Sequence, residues 1–304
     1  MKDQGRSRGA ILVAVLWTIA LLSGLAMAAS TTFRSFAGVV TVHRDRLRAD
    51  ALLTAGLEVA SGVVRRLELE ETPVRDVEAR LALPGGQLHF RLNDEGGKID
   101  LGKAPVELLS SMVRSLGVPN AEGIAQRIVE WRSPEAPDPL NPRPVPVQDE
   151  SKPQVASASQ GEFPFSDVRQ LANVPGVPPA LAAAAAPLLT VFGSPTVNPL
   201  TAPAEVVAAL PGIDASKVRA FLDTRRRFPT DASRLQAVLA SAQSFVAAGP
   251  QRVVSVELTA TLEDGFVARA TAVIVVFQED AEPYRILAWN PLGSGREDRA
   301  RTAK

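Results

Sequence analysis

The sequence predicts an α+β fold in which one long N-terminal helix packs on a small antiparallel sheet that carries a large helical insertion. Three observations predict it. An uncharged run continues into an amphipathic stripe, two separated regions alternate between apolar and polar residues, and apolar runs flank glycine turns in the middle. The 304 residues allow about two domains, which agrees with a sheet domain that contains an insertion.

Composition excludes several classes of protein. The chain has no Cys and only two His, which excludes a disulfide framework, a thiolate metal site and a cysteine nucleophile, and disfavours a multi-histidine centre. Its 33 basic and 33 acidic residues give a formal net charge of +0, which disfavours a protein that coats nucleic acid. No Ser/His/Asp order or carboxylate pair has a supporting context, so the sequence predicts a protein that is not an enzyme.

The N-terminal segment predicts a membrane-spanning helix. Residues 1–9 are short and polar, and Ala10–Phe33 contains no charged residue. About 20 helical residues span the hydrocarbon core of a bilayer, so we expect a transmembrane helix at about 10–33 with its basic N-terminus in the cytoplasm. The alternative is a cleaved secretory signal peptide ending near Ala26–Ala28, although the uncharged run is longer than the usual hydrophobic region of such peptides.

The helix is expected to continue beyond the membrane, giving one element over 10–72. Apolar residues recur at alternating steps of four and three, which marks one face of a helix. Pro73 marks the predicted end. The stripe consists of Leu53, Leu57, Ala60, Val64 and Leu67.

Alternating segments on either side of the middle region predict the sheet. Leu88–Leu92 alternates and is followed by turn-forming residues and a short strand at Ile99–Leu101. Far downstream, Val254–Thr261 alternates, and a Glu-Asp-Gly turn leads into a second long strand, Phe266–Phe277. Because an isolated hairpin is marginally stable, we expect the two downstream strands to join the Leu88 strand in one sheet, under the amphipathic half of the helix.

Between these strands, residues 103–248 predict an inserted all-α domain. Three segments share a helix–glycine–helix pattern with variable spacing, and a Pro-, Ser- and Gln-rich stretch at about 133–162 predicts a flexible loop. The sheet domain is left with 73–102 and 249–291, and 292–304 is expected to be a disordered tail. The three glycine turns are Leu116-Gly117-Val118, Val174-Pro175-Gly176-Val177 and Leu210-Pro211-Gly212-Ile213.

The N-terminal junction resembles a class III, prepilin-type leader. The run Arg8–Trp17 reads RGAILVAVLW, and prepilin peptidase cuts such leaders after the Gly, leaves the hydrophobic helix attached and methylates the new N-terminus. Most pilins and pseudopilins have Glu at the fifth mature position, where this chain has Ala14. That absence, the Arg-Gly junction and the early Trp17 are similar to the type II secretion protein K (GspK) family of large minor pseudopilins. The resemblance implies processing between Gly9 and Ala10, and subunit packing through Ala14 and Trp17.

Three further segments agree with that family in the same order, namely Arg91–Leu101, Ile128–Trp131 and Val197–Ala202. The resemblance implies a pilin-like helix and sheet in a minor pseudopilin that caps the pseudopilus tip and initiates its assembly for export of folded proteins. It also implies a single-pass inner-membrane protein with most of its chain in the periplasm. The implied partners are the minor pseudopilins I and J, other pseudopilins and the prepilin peptidase.

Calcium is the one cofactor that the resemblance suggests. Members of the GspK family commonly bind calcium through acidic loops of the helical domain, which requires several oxygen ligands. Here Trp131 is followed by Arg132-Ser133-Pro134, where the family more often has an acidic run. Asp138, Asp149 and Glu150 remain as scattered candidate ligands, and no ligand set is assigned.

A rival hypothesis comes from the third glycine turn. Leu210–Ile213 resembles the helix-hairpin-helix signature, in which backbone N–H groups at a helix N-terminus bind DNA phosphates, and Arg225–Arg227 follows. The rival is therefore a membrane-anchored DNA-binding protein of competence type. The structural alternative is that the glycine permits tight helix pairing and the arginines are a solvated helix end. The second turn, within Val174–Leu189, is nearly free of basic residues, which favours the structural alternative.

Two minor features receive structural interpretations. Gly96-Gly97-Lys98 lacks the earlier Gly and the following Ser or Thr of a phosphate-binding loop, so it predicts a turn between strands. His43 on the helix and His89 on a strand are both expected to be solvated.

Overall fold

The computed structural model describes residues 4–132, 165–278 and 282–296, and within the first helix it describes the side chains of 15–27 and 39–69. A long helix and a five-stranded antiparallel sheet form one part, and a group of short helices lies between the second and fifth strands of the chain. The helices are α1 (Gln4–Leu69), α2 (Val106–Ser115), α3 (Ala121–Arg132), α4 (Pro179–Ala185), α5 (Ala204–Ala208), α6 (Ala215–Arg227) and α7 (Ala232–Val238). The strands are β1 (Val77–Leu83), β2 (Gly86–Asp94), β3 (Ile99–Asp100), β4 (Leu189–Thr190), β5 (Val253–Leu262), β6 (Phe266–Val276) and β7 (Tyr284–Arg296).

Helix α1 confirms the predicted amphipathic stripe. Leu53, Leu57, Ala60 and Val64 are buried against the sheet, and Leu67 packs at the edge of the same cluster. The helix runs from Gln4 to Leu69, so it begins inside the predicted leader and ends three residues before the predicted limit of 72. It ends there because Glu71 adopts a left-handed conformation, with φ of 50°, and the Thr72 N–H donates to the Leu67 carbonyl, 2.9 Å away.

Among the described residues, none of the helices combines the length and the apolar character that a membrane crossing requires. The segment expected at about 10–33 includes 10–14 and 28–33, whose side chains lie outside the described set. The transmembrane segment therefore stays a prediction.

The main sheet has the strand order β1-β2-β5-β6-β7, with every neighbouring pair antiparallel. The predicted strands are confirmed as β2, β5 and β6, and they join in one sheet as expected. Leu88, Phe90 and Leu92 are fully buried under α1, and Phe90 lies opposite Leu258 on β5. The alternation therefore separates one face that packs on the helix from one that meets solvent.

The two edge strands were not predicted. The expected disordered tail at 292–304 is wrong over 292–296, because β7 extends to Arg296; residues 297–304 lie outside the described set. Pro291, Gly293 and Gly295 interrupt the alternation of β7, and such residues are tolerated in an edge strand. Strand β1 places Glu78 beside His89, whose Nε2 lies 2.5 Å from the Glu78 Oε1, and the His89 side chain stays 34% exposed on the solvent face, as expected. His43 is exposed, as expected.

The insertion confirms the three glycine turns. Gly117, Gly176 and Gly212 have φ of 75°, 78° and 71°, and each lies between two helical segments. L-residues with a side chain rarely adopt this conformation, which accounts for glycine at these positions. The insertion is not purely helical, because β4 lies within it and pairs in parallel with β3. Strand β3 confirms the short strand predicted at Ile99–Leu101, and it pairs with β4 in a separate small sheet. Strand β4 has only two residues and therefore no period, so hydrophobic alternation could not predict it.

Two separate clusters of buried side chains result. The helix–sheet core lies between α1 and the main sheet and contains Leu57 and Phe90. The insertion core contains Met112 and Phe221. The chain enters the insertion directly after β2, so residues at the end of that strand lie between the two cores.

Candidate functional site

A buried carboxylate lies where the two parts of the molecule meet. Asp94, the last residue of β2, is 5% exposed. Its Oδ2 accepts hydrogen bonds from the Thr201 hydroxyl at 2.7 Å and from the Asn198 side-chain amide at 3.3 Å. Its Oδ1 accepts one from the Gly96 N–H at 3.1 Å. We call these four residues, Asp94, Gly96, Asn198 and Thr201, the junction clasp.

Backbone hydrogen bonds reinforce the clasp. The Asn198 N–H donates to the Gly96 carbonyl at 2.8 Å. The Asn198 side-chain oxygen accepts from the Leu200 N–H at 3.1 Å, and its carbonyl accepts from the Ala202 N–H at 2.9 Å. Asn198 therefore folds residues 198–202 into a compact turn and holds that turn against the end of β2.

Glycine at position 97 is required by the close approach of this turn. A Cβ on Gly97 would lie 2.9 Å from the carbonyl carbon and oxygen of Thr201. Residues Glu95–Gly97 form a 3₁₀ turn, and the Lys98 ammonium pairs with the Glu95 carboxylate. The predicted turn at Gly96–Lys98 is thus confirmed, and its lysine is engaged within the turn itself.

Burial controls the electrostatics of the clasp. It raises the pKa of Asp94 to about 6, because a charged carboxylate is unfavourable away from water. Hydrogen bonds from Thr201, Gly96 and Asn198 oppose this rise, and the nearby charge of Glu95 adds to it. At neutral pH the carboxylate is mostly ionised, at a free-energy cost that its donors only partly offset.

Two arginines flank the turn from opposite sides. The Arg75 guanidinium, between α1 and β1, donates to the Leu200 carbonyl at 3.0 Å. Arg225 on α6 is 8% exposed, donates to the Ala202 carbonyl and lies 5.0 Å from the centre of the Phe221 ring. Burial, with the charge of Arg75, lowers the pKa of Arg225 to about 10. Arg225 is therefore part of the junction.

This placement of Arg225 contradicts the DNA-binding use of the arginine run. Its side chain is buried, where it cannot reach a phosphate backbone. Arg226 pairs with Asp223, and Arg227 is exposed. All three lie in the last turn of α6, where basic side chains complement the helix dipole.

At the third glycine turn, side chains of the protein itself bind the backbone groups that a DNA phosphate would need. The Asp214 carboxylate caps α6 by accepting the Ser216 and Lys217 N–H groups at 2.8 and 2.9 Å. The Lys217 ammonium donates to the Gly212 carbonyl at 2.9 Å. A carboxylate thus holds the N–H groups that would bind a phosphate in a helix-hairpin-helix protein. The geometry favours the structural interpretation of this turn.

Helix α1 presents a second candidate surface. Trp17 is 71% exposed, and large apolar side chains remain exposed in both described stretches of the helix. Many large apolar side chains exposed on one helix mark a site of contact with other proteins or with lipid. We call these residues the apolar helix surface: Val15, Leu16, Trp17, Ile19, Leu21, Leu22, Leu25, Met27, Val39, Val40, Val42 and Leu47.

The remaining predicted site residues are not tested. Gly9, Ala10 and Ala14 lie in α1, but their side chains are outside the described set. The candidate calcium ligands Asp138, Asp149 and Glu150 fall in 133–164, which is also outside it. Among the residues that are described, no group of three or more His, Asp or Glu side chains is arranged to hold a metal ion.

No known family model matches the chain, and no curated protein matches it. A chain in the crystal structure of the GspK–GspI–GspJ complex from the enterotoxigenic Escherichia coli type 2 secretion system does match, with a TM-score of 0.59 and 15% identity. The match covers 83% of this chain and 98% of the other. The chain has a GspK-like fold. At this identity the likeness establishes the fold alone.

The GspK-like fold brings together two of the segments that carried the resemblance. Arg91–Leu101 supplies Asp94 and Gly96, and Val197–Ala202 supplies Asn198 and Thr201. The third segment, Ile128–Trp131, lies near the C-terminus of α3, with Ile128 in the insertion core and Trp131 41% exposed. The sequence showed that these segments occur in order, but not that the first and last are in contact. The Asn-Asp pair and the Asn before Pro199 each indicate a turn, but neither signal indicates that the two turns are in contact.

Proposed function

We propose that this protein is a minor pseudopilin of a type II secretion system, which forms the tip of the pseudopilus with minor pseudopilins I and J. The observation that carries the proposal is the GspK-like combination of a long helix on an antiparallel sheet with a large insertion directly after β2. The role is structural. The chain initiates assembly and caps the filament, and the exported proteins pass outward as the filament grows.

In this proposal the apolar helix surface packs against the helices of neighbouring pseudopilins. Such side chains as Val39, Val42 and Leu47 lie beyond the proposed membrane segment and gain burial only when another helix covers them. The segment at about 10–33 anchors the chain in the inner membrane, with the bulk of the chain in the periplasm. Prepilin peptidase cuts after Gly9, so that the mature chain begins at Ala10.

Ala14 supports a position at the tip. In most pseudopilins the Glu at this position offsets the N-terminal amine of an adjoining subunit, a charge that is costly to leave unpaired in a low-dielectric bundle. Ala14 cannot offset that charge, and a subunit without a neighbour above it does not need to. The bulk of the insertion would also obstruct a further subunit at that end.

Purification of the complex tests the proposal. The full-length chain is co-expressed in detergent-extractable form with the minor pseudopilins I and J of the same secretion system. We expect an equimolar complex by size-exclusion chromatography with light scattering. Leu47→Glu, on the apolar helix surface, should weaken this complex, whereas Arg219→Glu, on an exposed site of α6, should leave it intact.

The same preparation separates the proposal from its rival. Salt-sensitive DNA binding that is lost on combined replacement of Arg225, Arg226 and Arg227, without any pseudopilin complex, would contradict the proposed function. Failure of the wild-type chain to form a complex with the minor pseudopilins I and J would contradict the proposed function as well.

A further inference from the structure

The two hydrophobic cores are joined by polar contacts. The junction clasp links the end of β2 to residues 198–202, and the Arg75 guanidinium binds the same turn from the α1–β1 connection. At a second point, Arg169 of the insertion donates to the Asn290 side chain on β7 at 3.0 Å, but Arg169 is exposed and also pairs with Asp167. The clasp is thus the buried part of this junction.

We propose that the junction clasp is a proton-responsive lock that sets the orientation of the insertion on the helix–sheet part, with Asp94 as its positioning residue. The inference does not depend on the proposed function. It follows from the burial of one carboxylate between two separately packed cores, and from the three donors, two of them in the insertion, that converge on it.

Few of the described charged groups around the clasp could produce a pH response in place of Asp94. On its own turn lie Glu95 and Lys98, which pair with each other. The 198–202 turn contributes only the uncharged Asn198 and Thr201, and β5 contributes Ser255, whose hydroxyl donates to the Asn93 carbonyl. The flanking guanidinium groups, Arg75 from the α1–β1 connection and Arg225 from α6, are committed to backbone carbonyls of that turn.

The direction of the response follows from the two environments of Asp94. In the closed junction its pKa is about 6, and in an opened junction, where water reaches it, the value returns to the ordinary 3.8. A raised pKa means that the closed form binds the proton more tightly. Closure is therefore favoured fully below about pH 4, and this advantage is lost as pH rises through about 6. Between pH 8 and pH 5 the ratio of closed to open forms should rise about 10-fold.

Distance measurements can follow the lock directly, because the chain has no native cysteine. Spin labels are attached at Arg80→Cys on β1 and Arg219→Cys on α6, both at exposed sites on opposite sides of the junction. Pulsed electron-spin measurements on the full-length chain in detergent then give the distribution of label distances. We expect one narrow distance at pH 5, and a broader distribution at pH 8.

Asp94→Asn is the main test variant. It keeps the shape of the side chain and removes its charge, and the Thr201 hydroxyl can accept a hydrogen bond from the new amide. The distance distribution of this variant should be the same at pH 5 and pH 8. Asp231→Asn, which replaces an equivalent cap at the start of α7 that makes none of the hydrogen bonds of the clasp, should respond to pH as the wild type does.

A second variant keeps the proposal testable if Asp94→Asn fails to fold. Thr201→Val removes the shortest hydrogen bond to Asp94, so the junction should open more at every pH, and the midpoint of the response should move above that of the wild type. Thr201→Ser should restore the wild-type response. A distribution that does not change between pH 5 and pH 8 in the wild type, or that changes equally in Asp94→Asn, would overturn the inference.

Discussion

The helix–sheet part buries long periodic faces, whereas the insertion is assembled from helices of 5 to 13 residues joined by tight turns. In the first part, side chains spaced along α1 meet alternating side chains of the sheet. In the insertion, glycines with positive φ reverse the chain, and aspartates such as Asp214 and Asp231 cap the helices that follow. The difference suggests that the two parts depend on different residues for their stability, and that each can be perturbed alone.

Replacing the largest buried side chain of each core should have the largest effect. Phe90 and Phe221 are both fully buried, one in each core. Phe90→Ala or Phe221→Ala should each lower the free energy of unfolding by about 3–5 kcal/mol, because each leaves a large cavity. If the cores unfold separately, each change should shift only the transition of its own part.

Tryptophan fluorescence can distinguish the two transitions. Trp131 reports on the insertion and Trp289 on the sheet, so each is observed in a background in which the other and Trp17 are both Phe. Phe90→Ala should shift the Trp289 transition in urea and leave that of Trp131 in place, and Phe221→Ala should do the reverse. One transition that both variants shift equally would show that the clasp makes the two parts a single cooperative unit.

A smaller effect is expected at the contact between the parts. Gly97→Ala would place a Cβ against the Thr201 backbone, which cannot move aside as a flexible side chain would. We expect a loss of about 1–3 kcal/mol of stability. Gly62→Ala is the matched control, because the added methyl meets nothing within 4 Å on α1 and should be neutral or stabilising. Urea unfolding measures both variants, and a neutral Gly97→Ala would mean that the turn is free to move away.

The glycine turns inside the insertion should be less sensitive still. Gly117→Ala adds a methyl that meets no neighbour within 4 Å, so only the positive φ opposes it. The expected loss is about 1 kcal/mol. Gly117→Asn should lose less, because Asn tolerates the left-handed conformation better than Ala does. An equal or greater loss in the Asn variant would indicate that the turn is limited by packing instead.

The lengths and periods of the elements also explain why the sequence predicted some of them and missed others. The α1 stripe and the alternation of β2, β5 and β6 were predicted because each keeps one period over at least five residues, with its apolar side chains on one buried face. Strand β1 also alternates, from Val77 to Leu83, and ends at a Pro-Gly turn, so its signal was present and was missed. Strand β7 contains Pro291 and two glycines, and it could not have been found from its period.

The junction clasp was beyond prediction for a different reason. Asp94 and Thr201 are 107 positions apart, and each belongs to a turn cluster that reads as ordinary loop chemistry. Nothing local marks Asp94 as buried, since acids followed by glycines usually lie in solvated turns. The same limit applied to Arg225, which was predicted to be solvated with its two neighbours and is buried because the turn at 200–202 covers it.

The smallest effect is expected near the N-terminus of α1, at Ala14. If the subunit lies at the tip, an acid at this position should not improve secretion. Ala14→Glu restores the acid that most pseudopilins carry. If no subunit lies above this one, the acid has no amine to pair with, and an unpaired carboxylate is unfavourable in a membrane-spanning helix. Secretion by cells whose only copy carries Ala14→Glu should therefore equal or fall slightly below that of the wild type, at equal protein levels by immunoblot.

The reverse change, Glu to Ala at the same position of the major pseudopilin, serves as the control and should reduce secretion strongly. A clear gain from Ala14→Glu would mean that α1 packs beneath the amine of a neighbour, and that the insertion, despite its size, leaves room for a subunit above it.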